Sequence, residues 1–173
     1  METKIFSVFP ACGKTWVFNH QEDLGLKILD SDSSEFSWIV EELQDPYYVL
    51  ISESEIKPII HKIKVRNPDF PNNYIKHIKE NIGKYDYIFV SSHSSVREAL
   101  DKEGIDDTIV YPESSCKAEW IGRCFIREKN NENGCTAEVL YNNWKQWILE
   151  CVETGLTHKE IVLDSKEYLS KYF

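Results

Sequence analysis

The chain has 173 residues, of which 42% are hydrophobic and 13% aromatic, and its formal net charge at pH 7 is −9. This length and apolar content predict one globular domain, and the negative charge argues against duplex nucleic acid as a partner unless a local basic patch overrides it. No apolar run approaches the length of a membrane span and no signal or transit peptide is visible, so we expect a cytoplasmic protein without a membrane partner. The five cysteines are odd in number and form no C-x-x-C pair, which favours free thiols over disulfides or a zinc site.

The first predicted element is a buried strand over residues 5–9, followed by a turn of small residues and a helix that starts near Lys14. A helix that begins with free N–H groups after such a turn is suited to hold phosphate. We therefore predict that this loop binds ATP, with Lys14 on the β- and γ-phosphates and the Thr15 hydroxyl on Mg²⁺. The predicted ATP-binding residues are Pro10, Ala11, Cys12, Gly13, Lys14 and Thr15.

This loop departs from the phosphate-loop consensus G-x-x-x-x-G-K-[ST] at its first position, where the chain has Val8. Many nucleotide kinases also have glycine at the position of Ala11. The alternative interpretation is therefore an ordinary strand, turn and helix without a ligand.

The rest of the chain alternates between strand-like and helix-like segments. We expect strands at 24–29, 47–51, 85–90 and 108–111, and helices at 35–43, 53–64, 74–81, 96–103, 116–129 and 136–152. Pro58 would lie in the first turn of the helix at 53–64. The segment 157–173 should hold a short strand or turn and a terminal helix.

This alternation predicts an α/β fold of three layers, with a central parallel sheet covered by helices on both faces. Ligands of such sheets bind at the carboxyl ends of the strands. The loops at 10–15, 30–34, 91–95 and 112–117 are therefore expected to line the site.

Asp30-Ser31-Asp32 follows the second predicted strand and places two carboxylates near the phosphate loop. One could hold a water on Mg²⁺, and the other could accept a proton from an attacking hydroxyl or orient it. The alternative is that these residues only cap the following helix.

Residues 10–15 resemble the loop of nucleoside monophosphate kinases, whose pattern is Gly-x-Pro-Gly-x-Gly-Lys-[Ser/Thr]. Asp30-Ser31-Asp32 is similar to the Asp-x-Asp of shikimate- and gluconate-type kinases, in which one Asp serves Mg²⁺ and the other the acceptor. The chain as a whole resembles the small nucleotide kinases of bacteriophages of low-GC bacteria, which would place it in the host cytoplasm. Adenylate kinases end the third strand with Asp where this chain has Ser91-Ser92-His93, so the resemblance leaves Asp30 as the metal carboxylate.

Only four of the 20 basic residues are arginines. Arg123 and Arg127 are one helical turn apart, and their spacing resembles the lid arm of nucleotide kinases, over about residues 114–135. Such arginines neutralise the charge of the transferring phosphoryl group, and residues 130–134 would continue the lid as a mobile loop. The alternative is a pair of salt bridges to Glu119 and Glu128.

Side chains that could bind the acceptor are spread over three segments. Arg66 and Arg97 could grip its phosphate, and His93 could contact a base or cap a helix. Phe36 and Trp38 are the candidates for stacking on a base, whereas the other tryptophans are expected in the core.

The sequence thus predicts a single kinase domain over residues 1–173, with Lys14, Asp30, Asp32, Arg123 and Arg127 as its catalytic residues. The enzyme would use ATP·Mg²⁺ to phosphorylate a (deoxy)nucleoside monophosphate. Alternatives are a kinase of a hydroxyl group, in a nucleoside, a hydroxymethylated base in DNA or a small metabolite, and a nucleotide-binding module without turnover. The sequence leaves the oligomeric state open.

Overall fold

The computed structural model describes residues 2–52, 55–130, 132 and 134–173, and for residues 45–52 and 55–59 it describes the backbone alone. Within this part of the chain, no helix combines the length and the apolar character needed to cross a membrane.

Strands and helices alternate along most of the chain. The strands are β1 (Lys4–Val8), β2 (Ile28–Asp30), β3 (Trp38–Ser52), β4 (Glu55–Arg66), β5 (Tyr87–Ser91), β6 (Thr108–Pro112) and β7 (Lys159–Leu163). The helices are α1 (Lys14–Asn19), α2 (Ser34–Ser37), α3 (Asn72–Asn81), α4 (Ser94–Lys102), α5 (Lys117–Lys129) and α6 (Ala137–Gly155), with 3₁₀ turns at Ser114–Cys116 and Leu169–Tyr172.

Five strands form one sheet in the order β2-β5-β1-β6-β7, and every recorded pair in it is parallel. The prediction of a central parallel sheet is confirmed. Strand β1 lies in the middle, paired with β5 through Val8 and Ser91 and with β6 through Val8 and Val110. The loops that follow β1, β2, β5, β6 and β7 therefore all open at the same edge of the sheet, as ligand-binding loops do.

Helices cover both faces of this sheet because its strands are apolar at consecutive positions. Ile5, Ile88 and Val90 pack with α3 and α4 in one core cluster. The residues between them, Phe6 and Phe89, turn to the opposite face and belong to a second cluster with α1, α5 and α6. This arrangement is compatible with a three-layer α/β/α fold.

Two predicted helices are wrong: most of 35–43 and residues 55–64 of the predicted helix 53–64 lie in a long antiparallel hairpin of β3 and β4. Residues 53 and 54 lie outside the described residues. Only Ser34–Ser37 is helical in the first segment. The apolar residues of 53–64 fit a helical period, but they are mostly isoleucines, and β-branched side chains pack better on a strand. Pro58 lies in β4 opposite Tyr48, beside an irregular stretch of the ladder, and not in a helical turn.

Other predicted elements are confirmed with shifted ends. The second strand begins at Ile28, because Gly25 has φ +66° and closes a turn just before it. The C-terminal segment contains a strand, β7, but ends in a 3₁₀ turn in place of a helix. All five cysteines are free thiols, as predicted.

Candidate nucleotide-binding site

The loop between β1 and α1 has two residues with left-handed backbone conformations. Ala11 has φ 61° and Gly13 has φ 96°. For glycine this conformation is easily reached, but for alanine it is strained, and such strain is concentrated at ligand-binding loops. Alternation of left-handed residues turns neighbouring N–H groups toward one side of the chain, which forms an anion-binding concavity.

The backbone N–H groups of residues 11–16 find no acceptor among the residues that the structure describes. The first helical bond of α1 is donated only by the N–H of Val17, to the carbonyl of Gly13 at 3.3 Å. Unpaired N–H groups and the positive end of the helix dipole together attract an anion. The loop therefore has the donor pattern of a phosphate site.

Lys14 and Thr15 lie at the start of α1, as predicted. The Lys14 ammonium donates to a carboxylate oxygen of Asp30, the last residue of β2, at 3.1 Å. The Thr15 side chain is exposed, and its hydroxyl makes no hydrogen bond within the described part of the chain. A hydroxyl and a carboxylate are oxygen ligands of the kind that Mg²⁺ prefers, and the Lys14 ammonium lies beside the carboxylate of Asp30.

The C-terminal segment and α5 contact the loop of residues 10–15 and fix its backbone. The N–H of Leu169 donates to the carbonyl of Cys12 at 2.8 Å, and the ring of Tyr168 lies against Gly13, where an added Cβ would approach it to 3.2 Å. Arg123 donates to the carbonyls of Ala11, at 3.3 Å, and of Glu167, at 2.9 Å. The loop is thus fixed through its carbonyl groups, and its N–H groups are left without acceptors in the described part of the chain.

Cys12 is a buried thiol within this loop. Burial raises its pKa to about 12, although the positive charge of Arg123 acts in the opposite direction. A thiol with this pKa is neutral at physiological pH, so Cys12 contributes packing and not a nucleophile.

Asp32 is exposed after β2, and one of its carboxylate oxygens accepts the N–H of Ser34 at 2.8 Å. This is the turn contact that the capping interpretation requires. Between the two aspartates, the carbonyl of Ser31 accepts the hydroxyl of Tyr74 at 2.8 Å. The phenol thereby fixes the backbone that carries both carboxylates.

The base of the hairpin supplies two of the residues predicted to bind an acceptor, Trp38 and Arg66. The guanidinium of Arg66 lies over the rings of Phe70, at 4.5 Å, and Trp38, at 5.4 Å. Trp38 is 46% exposed, whereas Phe36 packs on Tyr74 and is partly buried. Of the two predicted stacking residues, Trp38 is thus the more accessible.

His93 is at the start of α4, after β5. Burial lowers its pKa, and the positive charges of Arg66 and Arg97 lower it further. Its ring meets Trp147 edge to face at 5.7 Å. A neutral imidazole near Arg66 can accept a hydrogen bond from a ligand as well as donate one.

Two predicted functional arginines are bonded within the protein. Arg97 is 3% exposed and donates to the carbonyls of Ser92, at 2.9 Å, and Glu150, at 3.1 Å, and to the hydroxyl of Thr154, so it joins α4 to α6. Arg127 donates to the carbonyl of Cys135 and connects α5 to the start of α6. These contacts favour structural roles for both.

The helix that carries the predicted lid is part of the core. Trp120 and Cys124 of α5 are fully buried in the same cluster as α1 and α6. Arg123 forms the salt bridge to Glu119 that the alternative interpretation expected, at 2.5 Å, whereas Glu128 caps α6 through the N–H of Ala137 and is not paired with Arg127. The predicted mobile continuation at 130–134 includes Asn131 and Asn133, which lie outside the described residues.

Sequence reasoning missed the three residues that support the site from a distance: Tyr74, Tyr168 and Leu169. Each reaches its partner from a remote part of the chain, and no local pattern marks it.

Comparisons with protein-family models, with curated proteins and with solved structures found no match to this chain.

Proposed function

We propose that this protein is an ATP-dependent phosphotransferase that binds ATP·Mg²⁺ at residues 10–15. The observation that carries the proposal is the run of unpaired N–H groups over residues 11–16, directly after the central strand of a parallel sheet. The Lys14 ammonium and the Asp30 carboxylate, 3.1 Å apart at the same edge, add the cation and the metal ligand that phosphoryl transfer needs. Mg²⁺ would supply charge neutralisation on the phosphates.

We place the acceptor between the end of β2 and the base of the hairpin. Asp32 would orient the attacking group, and the exposed ring of Trp38 would stack on a base. A (deoxy)nucleoside monophosphate is the first candidate, because the guanidinium of Arg66 has the geometry to bind its phosphate.

A hydroxyl acceptor without a phosphate is the second candidate. The hydrogen bonds that three of the four arginines make within the protein favour it. Arg97, Arg123 and Arg127 all donate to carbonyls of their own chain. This leaves Arg66 as the remaining guanidinium for an acceptor phosphate, whereas the two carboxylates suit a hydroxyl.

The donor site is tested with Lys14→Ala. The loss of its charge should lower kcat by roughly 10²-fold or more while the melting temperature changes little, because Lys14 lies at the surface of the site. The matched control is Lys27→Ala, an exposed lysine that precedes β2 at the opposite edge of the sheet. If Lys14→Ala retained near-normal turnover, the donor site would be wrongly placed.

The acceptor is identified by measuring ADP release with each common nucleoside monophosphate, with nucleosides and with hydroxymethylated DNA. Turnover with a monophosphate that Arg66→Ala abolishes would support the first candidate. Turnover with a nucleoside or modified DNA that survives Arg66→Ala would support the second. Protection from melting by ATP without ADP release from any acceptor would leave a binding module and contradict the proposal.

A further inference from the structure

Three side chains with metal-binding atoms converge at the edge of the sheet opposite the phosphate loop. Asp107 immediately precedes β6, His158 precedes β7, and Asp101 is in the last turn of α4. One ligand atom from each lies within 4.8 Å of the others. This cluster is separate from the proposed active site, and its ability to bind a metal is independent of the proposed function.

Asp107 is the unusual member of this cluster. Its side chain is 0% exposed, and neither carboxylate oxygen has a hydrogen-bond partner in the part of the chain that the structure describes. One oxygen lies 4.0 Å from Nε2 of His158, so the carboxylate faces into the cluster. A buried carboxylate without hydrogen bonds is costly, and a bound cation is one way to stabilise it.

His158 is oriented as a metal ligand would be. Its Nδ1 faces the carbonyl of Thr154, at 3.2 Å, and the hydroxyl of Thr157, at 3.0 Å. When Nδ1 donates to the carbonyl, Nε2 faces a carboxylate oxygen of Asp101 at 2.7 Å and donates to it when the ring is protonated. Metal-bound histidines likewise donate one ring N–H to a backbone carbonyl while the other nitrogen binds the metal, so a metal here would replace the proton between Nε2 and Asp101.

The surroundings admit a cation. A cleft of about 360 Å³ reaches Asp101 and His158 and is also lined by Glu98 and Glu153. The neighbouring cation, Arg97, is bonded to α6 and to the carbonyl of Ser92. An acidic, open cleft that reaches two of the three side chains, Asp101 and His158, provides a path for a hydrated metal ion.

We propose that Asp101, Asp107 and His158 form a site for one divalent transition metal, with Zn²⁺ as the best fit. One imidazole and two carboxylates suit Zn²⁺ better than Mg²⁺ or Ca²⁺, which prefer oxygen ligands alone. Zn–N and Zn–O bonds of about 2.0–2.2 Å require ligand atoms roughly 3.3 Å apart in a tetrahedron. The observed 2.7 and 4.0 Å lie on either side of that value, so small side-chain movements close the site, with water as the fourth ligand.

Such a site would connect the end of α4 to the starts of β6 and β7. Because these elements belong to different parts of the chain, a metal bound only in the folded state stabilises the fold by mass action.

The test is titration of the EDTA-treated full-length protein with Zn²⁺, read by calorimetry and by melting temperature. We expect one Zn²⁺ per chain and a melting temperature raised by roughly 5–10 °C at 100 times the dissociation constant. Co²⁺ is the second probe, since its visible spectrum distinguishes nitrogen and oxygen ligands from the free thiols.

Asp107→Asn and Asp101→Asn should each weaken Zn²⁺ binding by at least about tenfold. The matched control is Asp106→Asn, an exposed neighbour, and Asp30→Asn controls for the proposed Mg²⁺ site. Asp101 is 48% exposed, so its variant will fold even if the buried Asp107 variant does not. Equal Zn²⁺ affinity of the wild type and both cluster variants, thiolate bands in the Co²⁺ spectrum, or no binding would overturn the proposal and leave an ion pair of His158 with Asp101.

Discussion

At the scale of single residues, the candidate site depends on the hydrogen bonds of the loop at residues 10–15. Its N–H groups and its carbonyls differ in whether they have partners. The N–H groups of residues 11–16 have no acceptor among the described residues, while the carbonyls of Ala11 and Cys12 are held by Arg123 and Leu169. A loop fixed by its acceptors keeps its donors oriented before a ligand arrives, which lowers the entropic cost of binding. This preorganisation is what distinguishes it from an ordinary turn.

The variants Asp30→Asn and Asp32→Asn should change different kinetic properties of the enzyme. Asp30→Asn removes the charge beside Lys14 and should weaken the dependence of turnover on Mg²⁺. Asp32→Asn retains an oxygen for the N–H of Ser34, so it preserves the turn and removes only the charge. If Asp32 orients the acceptor, its variant should raise the acceptor KM or lower kcat at an unchanged melting temperature.

Steady-state kinetics of both variants, with Mg²⁺ and acceptor each varied, separate these effects. Small and equal effects in the two variants would support the alternative that Asp30-Ser31-Asp32 only caps the following helix.

Arg127 should act on stability more than on catalysis. Its guanidinium lies close to Gly134 and holds the carbonyl of Cys135, so Arg127→Ala should lower the melting temperature by about 3–10 °C. We expect kcat to stay within about threefold, because the observed contacts of Arg127 are structural. The exposed Lys129, two residues further on, provides the matched control as Lys129→Ala.

Kinetics and thermal unfolding of these two variants decide between the interpretations of Arg127. A large loss of kcat at an unchanged melting temperature would support the lid role predicted from the sequence.

At the scale of elements, the hairpin of β3 and β4 forms a sheet of its own, separate from the five-stranded sheet. None of its described side chains belongs to either core cluster. It is anchored at its base, where Asn67 donates through its backbone N–H to the carbonyl of Ser37 and through its side chain to that of Phe36. The described part of the arm therefore adds no side chain to the core clusters, and its base carries Trp38 and Arg66, which we propose as acceptor-binding residues.

Shortening this arm should leave the fold intact. Joining Glu41 to Ile63, which are paired across the hairpin, through an Asn-Gly turn removes residues 42–62 and preserves the base. We expect the melting temperature to change by less than about 3 °C and protection by ATP to persist, because no described side chain among residues 42–62 belongs to a core cluster. As a contrast, Asn67→Ala removes one anchor at the base and should destabilise the protein more.

Thermal unfolding followed by circular dichroism, with and without ATP, measures both variants. Loss of cooperative unfolding in the shortened protein would show that the arm is part of the core.

At the scale of the whole molecule, one sheet separates two core clusters that share its strands. Ile88 of β5 is fully buried on the side of α3 and α4, while its neighbour Phe89 packs in the other cluster. The fully buried Trp120 also lies in that other cluster. Because neighbouring residues of one strand serve both clusters, we expect the two to unfold together.

Ile88→Val tests this coupling. The lost methylene should cost about 0.5–1.5 kcal/mol and lower the melting temperature by roughly 2–5 °C. Tryptophan fluorescence reports mainly on the cluster opposite Ile88, yet it should shift by the same amount as circular dichroism. Ile82→Val, at a position 42% exposed, is the control and should have little effect. Separate transitions by the two probes would contradict a single cooperative unit.

Local patterns in the sequence were sufficient to predict the parallel sheet and the turn of residues 10–13 with a helix that begins at Lys14. Each of these patterns spans only a few residues: the apolar runs at β1, β5 and β6, and the small residues before Lys14. Each element can therefore be predicted from its own stretch of sequence. The loop's position after the first strand then follows from chain order alone.

Tertiary structure decided what depends on partners distant in the chain. The isoleucines of β4 fit a helix until β3 pairs with them, and the arginines acquire their roles from carbonyls up to 112 residues away, as with Arg123 and Ala11. Asp101, Asp107 and His158 likewise meet only because α4, β6 and β7 end or begin at one edge of the sheet. Hydrogen bonds and metal ligands act over a few ångströms in space, and a sequence pattern does not contain those distances.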